Sequence, residues 1–200
     1  RAAGHKISRI DVGGGLGIPY KAGDAPAPPS AYASMIAEVM DGLGVQVILE
    51  PGRVIAGNAG VMLTTALYEK PAPDRTFLII DAGMNDLMRP ALYDAHHDIV
   101  PLKEAAADAP TATYDVVGPI CESTDKFAVA RQLPEVAQGD RLAFMSAGAY
   151  GAVLSSAYNA RPLVPEVLVH GDRFDIVRRR PTFDEMVELE QVPDWLTQTA

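Results

Sequence analysis

The hydrophobic positions of this chain change rhythm near residue 58. Before that point, residues 6–12 end in Ile10 and Val12 and run straight into Gly13-Gly14-Gly15-Leu16-Gly17, which predicts a buried strand opening into a loop. A proline-rich stretch, 26–29, follows. Ser30 is then placed to cap a helix whose apolar residues Tyr32, Met35, Ile36, Val39, Met40 and Leu43 recur at helical spacing, with Gly42 and Gly44 ending it. Residues 45–49 form a short apolar, β-branched run that stops at Glu50-Pro51-Gly52-Arg53. Strand, helix and strand in that order predict a βαβ unit of a parallel sheet.

Beyond residue 58 the segments lengthen and alternate. Stretches 61–68, 76–81, 112–117, 141–145 and 167–177 read as strands of an antiparallel β-domain, with hairpin turns at 71–74 and at His170-Gly171-Asp172. Short helices with apolar faces are predicted at 149–158 and 183–189. The expected organisation is α/β plus β: residues 1–58 as part of an α/β domain, and 59–200 as a mainly antiparallel β-domain. Two strands make no stable parallel sheet alone, so the reading expects further strands upstream of Arg1 or from a separate polypeptide.

Composition narrows the function classes. The 200 residues carry 17 basic and 26 acidic side chains, a formal charge of −9, which speaks against a nucleic-acid partner that must be met by a basic face. The one basic run, Arg178 to Arg180, is too short for that. The longest uncharged stretch, 142–160, is broken by Ser146, Ser155, Ser156 and Asn159 and makes a poor membrane span. The start of the chain has no initiator methionine and no apolar signal stretch, and Cys121 is the sole cysteine, so a cytoplasmic, incomplete chain without disulfides is expected.

Two motifs carry the first chemistry. Glycines 13, 14 and 15 at the end of a strand let successive backbone amides converge on an anion, for which phosphate is the obvious guest. Glu50-Pro51-Gly52-Arg53 ends the next strand on the side where ligands gather in parallel α/β folds. The glycine run alone reads more readily as a structural turn, and the tetrapeptide equally as a strand-ending turn with a surface ion pair. Together they would face one crevice.

With three further blocks, these motifs give the chain a family resemblance. The blocks are Asp81-Ala82-Gly83-Met84-Asn85-Asp86-Leu87-Met88-Arg89-Pro90-Ala91-Leu92-Tyr93, Gly118-Pro119-Ile120-Cys121-Glu122-Ser123-Thr124-Asp125 and Gly148-Ala149-Tyr150-Gly151. In this order they resemble the fold-type III pyridoxal-phosphate decarboxylases, and among them the diaminopimelate decarboxylases. The resemblance implies that residues 1–58 are the C-terminal remnant of a (β/α)8 barrel and that 59–200 are the β-domain after it. It also implies pyridoxal 5'-phosphate as cofactor, conversion of meso-2,6-diaminopimelate to L-lysine and carbon dioxide, and a homodimer with shared sites.

By the same resemblance Gly13, Gly14 and Gly15 would bind the cofactor phosphate, with Pro51, the amides of Gly52 and Arg53, and the Tyr150 hydroxyl beside it. Glu50 would face the pyridine nitrogen and keep it protonated. Arg53, Arg89, Tyr93, Glu122, Ser123 and Tyr150 would meet the substrate, the two guanidinium groups holding the distal carboxylate and Glu122 the distal amine. Cys121 would reach the partner's site as proton donor. The family's cofactor lysine and ring-stacking histidine match nothing here, and none of Lys6, Lys21, Lys70, Lys103 and Lys126 lies in its lysine motif. The chain alone is therefore expected to be inactive. Decarboxylation of arginine, ornithine or carboxynorspermidine, or a non-catalytic binding protein of the same fold, stay open as alternatives.

Three remaining groups read as structural. His96 and His97 have no second cluster at metal-ligand spacing, so no metal is expected and a solvated or hydrogen-bonded pair is. Glu185, Glu188 and Glu190 read as a solvated helix face. Asp81 and Asp86 read as turn residues, with Asp86 close enough in sequence to orient Arg89.

Overall fold

The computed structural model describes residues 3–197. The amino-terminal unit has the predicted order: strand β1 (Arg9–Asp11), helix α1 (Pro29–Met40) and strand β2 (Gln46–Ile48), with β1 and β2 parallel and Ile10 opposite Val47. Both strands are shorter than the apolar runs that announced them. Ser30 does not cap α1: Pro28 holds the cap position without a side-chain bond and Pro29 opens the first turn, where its fixed φ suits a helix and its missing N–H costs nothing. The apolar stripe of α1 buries none of its residues, and Met35 and Val39 are 49% and 63% exposed.

Short helix α2 (Gly52–Ala56) leads into a six-stranded sheet that holds the core. Its strands are β3 (Met62–Pro71), β4 (Thr76–Ile80), β5 (Ile99–Pro101), β6 (Thr111–Val117), β7 (Lys126–Pro134) and β8 (Arg141–Phe144), in the spatial order β5-β8-β3-β4-β6-β7. The sheet is antiparallel with one exception, since β4 and β6 pair in parallel, Leu78 opposite Val116. The chain between them travels through helix α3 (Arg89–Tyr93) and β5, which reverses the direction in which it returns. Strands β5 and β7 were not expected from the pattern.

The two edges of this sheet meet. Arg131 on β7 donates to the His97 carbonyl and to His96 Nδ1, both at 3.1 Å, and lies 3.8 Å from Asp98, just before β5. The sheet is thereby close to a closed barrel. Its interior is apolar: Leu78, Ile80, Val116, Leu142 and Phe144 are fully buried, and Phe127 packs on Phe144 with ring centroids 4.7 Å apart.

The remaining segment, 167–177, is a hairpin, β9 (Glu166–His170) and β10 (Arg173–Arg178), turning at the predicted Gly171. Residues 149–158 are not a helix. They form two separate single turns, Ala152–Leu154 and Tyr158–Ala160, because the backbone is extended at Ser155. Helix α4 (Phe183–Val187) is started by a capping box between Thr182 and Glu185, and α5 (Asp194–Thr197) follows. Glu185 is not merely solvated: Arg179 forms a two-pronged pair with it and holds its carboxyl down at about 2. Among the described residues no helix is long and apolar enough to cross a membrane.

Candidate active site

The parallel pairing of β1 and β2 brings the two strand-end motifs together. Glu50 N donates to the Gly13 carbonyl at 2.9 Å, and Val12 N to the Ile48 carbonyl at 3.1 Å. The approach is so close that a Cβ on Gly14 would collide with the Glu50 carbonyl oxygen, so the crevice requires glycine there. Gly15 has a left-handed φ of +87° and open space above it.

Not every amide in the crevice is available. Gly13 N donates to Asp11 Oδ1 at 2.8 Å, and Gly52 N donates to the Glu50 carbonyl at 2.9 Å across Pro51, an inverse γ-turn. The Gly13 and Gly52 amides, both expected at an anion, are here engaged in holding the turns. Gly14, Gly15 and Arg53 keep amides without a partner among the described residues. The Arg53 side chain is half-buried, and its Nε is buried with no partner. Glu50 is exposed.

Residues 146–151 are fastened against this crevice. Ala147 N donates to the Gly60 carbonyl at 2.8 Å and Gly148 N to the Gly57 carbonyl at 3.0 Å, while Asn58 Nδ2 reaches Ser146 Oγ at 2.7 Å. These bonds hold the loop bearing Tyr150 next to α2. Tyr150 itself has φ +59° and is 47% exposed.

Arg89 and Tyr93 stand at opposite ends of α3. Arg89 is 8% exposed, its guanidinium 4.7 Å from the centroid of the Tyr20 ring and its Nη1 2.9 Å from His97 Nε2. Asp86 does not orient it: Asp86 accepts from Gly83 N at 2.9 Å, from Asn85 Nδ2 at 3.0 Å and from Arg161 Nη2 at 3.3 Å. Tyr93 is exposed.

The third group lies on the loop between β6 and β7. Buried Asp125 gathers that loop, accepting from Ile120 N at 2.6 Å and Met84 N at 2.7 Å. Burial pushes its carboxyl up, against the pull of those two amides. Cys121, Glu122 and Ser123 are thereby presented at an exposed tip. There Tyr158 OH donates to Glu122 Oε1 at 2.7 Å and Asn159 Nδ2 to Cys121 Sγ at 3.4 Å. The Glu122 carboxylate pushes the Tyr158 phenol up.

The expected site residues therefore fall into one crevice and two outlying groups, and no hydrogen bond among the described residues joins Cys121 or Glu122 to the Gly13–Glu50 crevice. Sequence reasoning missed Tyr158, Asn159 and Arg161, which it had assigned to the end of a helix or left unread. The adjacent pair Tyr158-Asn159, lying so far along the chain from Cys121-Glu122, carried no spacing signal. Among the described residues no three His, Cys, Asp or Glu side chains are grouped so as to hold a metal.

Comparison with known proteins adds the family. Residues 20–148 match the family described as pyridoxal-dependent decarboxylase, C-terminal sheet domain. Diaminopimelate decarboxylase of Zymomonas mobilis is 47% identical over 196 residues, covering 97% of this chain and 46% of the relative. A crystal structure of an Aquifex aeolicus protein superposes with a TM-score of 0.90 at 42% identity, covering 95% of this chain and 47% of that one. That of Helicobacter pylori diaminopimelate decarboxylase complexed with L-lysine gives a TM-score of 0.86 at 38% identity, covering 94% and 46%. The chain spans about half the length of the curated relatives it matches.

Proposed function

The chain belongs to the pyridoxal-dependent decarboxylases, and from that membership we propose that it is the C-terminal portion of an enzyme that converts meso-2,6-diaminopimelate to L-lysine and carbon dioxide. Residues 1–58 are then the last part of a (β/α)8 barrel, which accounts for the uncovered stripe of α1, and 59–200 are the sheet domain. The observation that carries the reading is the crevice in which Gly13–Gly15 and Glu50–Arg53 meet at the ends of two parallel strands.

The crevice fits the phosphate of pyridoxal 5'-phosphate. Gly14, Gly15 and Arg53 offer partnerless amides, and the space above Gly15 and Gly52 is open. Tyr150, on the loop pinned beside α2, adds a hydroxyl. When bound, the cofactor would supply an electron sink for decarboxylation.

The chain's own groups have separate tasks in this proposal. Glu50 holds the proton on the pyridine nitrogen. Arg53 and Arg89 bind the distal carboxylate. Tyr93 and Ser123 line the substrate, Glu122 receives the distal amine, and Cys121 hands a proton to the substrate carbon in the site of a second subunit. Incubating the complete enzyme and cofactor with meso-diaminopimelate, arginine, ornithine and carboxynorspermidine tests the substrate. Lysine from the first alone is expected. Carbon dioxide from another member of the panel, or from none, would refute the reading.

A further inference from the structure

Two loops of this chain hang from one short segment. The first is 118–125, tied through Asp125 to Met84 N. The second is 156–161, where Ser156 N donates to the Asn85 carbonyl at 2.9 Å and Asn85 Nδ2 returns to the Ser156 carbonyl at 3.2 Å. Arg161 completes the attachment, reaching the Asp81 carbonyl at 2.7 Å, Asn85 Oδ1 at 3.1 Å and Asp86 Oδ2 at 3.3 Å. Asn85 and Asp86 are buried, so the support is firm.

From this common support the loop tips touch at two adjacent places, Tyr158 with Glu122 and Asn159 with Cys121. The backbone that sets the second tip is unusual. Asn159 and Ala160 both have left-handed φ, +56° and +54°, a conformation asparagine tolerates and alanine seldom adopts. Strain of this kind persists where the surroundings over-determine it, and it clusters at functional sites. Here it turns one phenol and one carboxamide toward a carboxylate and a thiol. A Tyr O–H and an Asn N–H are both donors, matched to a carboxylate oxygen and a sulfur that accept.

We propose that Tyr158 and Asn159 are positioning residues that hold Glu122 and Cys121 as a pair, fixing the carboxylate for substrate binding and the sulfur in its place beside it. The proposal rests on the decarboxylase reading for its function, but the clamp itself is a matter of contact geometry. A carboxylate put in place of the Asn159 amide would stand against the attacking sulfur and slow its alkylation.

Two measurements on the complete enzyme test it. Iodoacetamide alkylation of the Cys121 peptide, followed by mass spectrometry, should be slowed about tenfold by Asn159→Asp, the scale of one like charge set beside the attacking sulfur. A slowing under about threefold, or an acceleration, overturns the thiol half. Tyr158→Phe, which keeps the ring and the fold, should raise KM for diaminopimelate about tenfold with kcat nearly unchanged. In a Glu122→Ala background the same change should add nothing. A loss confined to kcat, or an equal effect in both backgrounds, overturns the carboxylate half. A wild-type enzyme that leaves diaminopimelate untouched would sink the functional reading while the alkylation rates still judged the clamp.

Discussion

Arg89 and His97 share one 2.9 Å hydrogen bond, and guanidinium chemistry sets its direction: Arg89 Nη1 donates and His97 Nε2 accepts. The proton of the imidazole then sits on Nδ1, which donates to the Met145 carbonyl at 2.8 Å. The ring is neutral in the folded chain, with Tyr20 packed edge-on at 5.6 Å. Burial, then the charges of Arg89 and His96, hold His97 below its ordinary range, opposed by the Met145 carbonyl and Asp98.

A stability prediction follows from the sign of that shift. Below about pH 6.5 the unfolded chain takes up a proton that the folded chain refuses, so this stability is complete above that value and is lost as pH falls toward the depressed folded one. The slope reaches at most about 1.4 kcal/mol per pH unit. His97→Gln preserves an acceptor and a donor without titrating. Urea unfolding of the complete enzyme at several pH values should show a steeper acid loss in wild type than in the variant. Equal slopes would mean that His97 is charged or exposed.

Cofactor affinity should separate two neighbouring glycines. Gly14→Ala places a methyl against the Glu50 carbonyl oxygen and must push the crevice open, whereas Gly15→Ala meets no atom and suffers only the left-handed φ, about 1 to 2 kcal/mol. Cofactor titration by absorbance is expected to show weaker binding for both, with the larger loss at Gly14. The reverse order would place the phosphate elsewhere.

Asp125 should be a stability residue of the Cys121 loop. Asp125→Ala strips the partners from two amides, Met84 N and Ile120 N, at about 1 to 3 kcal/mol for each one left buried. Denaturant unfolding should register a loss of several kcal/mol by that rule. A change below about 1 kcal/mol would show that water replaces the carboxylate.

Shared sites can be tested by mixing two defective chains. Glu50→Gln alone should lose about 3 to 4 kcal/mol of transition-state stabilisation, and Cys121→Ala should also be nearly inactive. If Cys121 serves the partner's site, each hybrid dimer regains one intact site, and random reassortment restores about a quarter of wild-type turnover. No recovery after demonstrated subunit exchange would confine Cys121 to its own chain.

Much of the framework was legible from periodicity. The β1-α1-β2 unit, the β3–β4 and β9–β10 hairpins and strands β6 and β8 all carry patterns that locate them within a few residues. Strand β7 escaped because Ala130, at φ +49°, interrupts its ladder: the pairing slips against β6, so Phe127 and Leu133 are buried while Val129 between them is 61% exposed. The parallel β4–β6 pairing left no local trace, since nothing in either strand encodes the path of the chain between them. The crevice motifs were readable because strand ends and glycines mark themselves. Tyr158 and Asn159 were not, because their partners are supplied by the fold alone.

The common anchorage of the 118–125 and 156–161 loops on Asp81–Asp86 divides labour between depth and surface. Asn85, Asp86 and Asp125 are buried and bear the load, whereas Cys121, Glu122, Ser123, Tyr158 and Asn159 are exposed and bear none of the core. Surface exchanges of that kind cost a fold little. Selection can therefore exchange the side chains at these tips, one at a time, without reopening the question of whether the sheet beneath them folds.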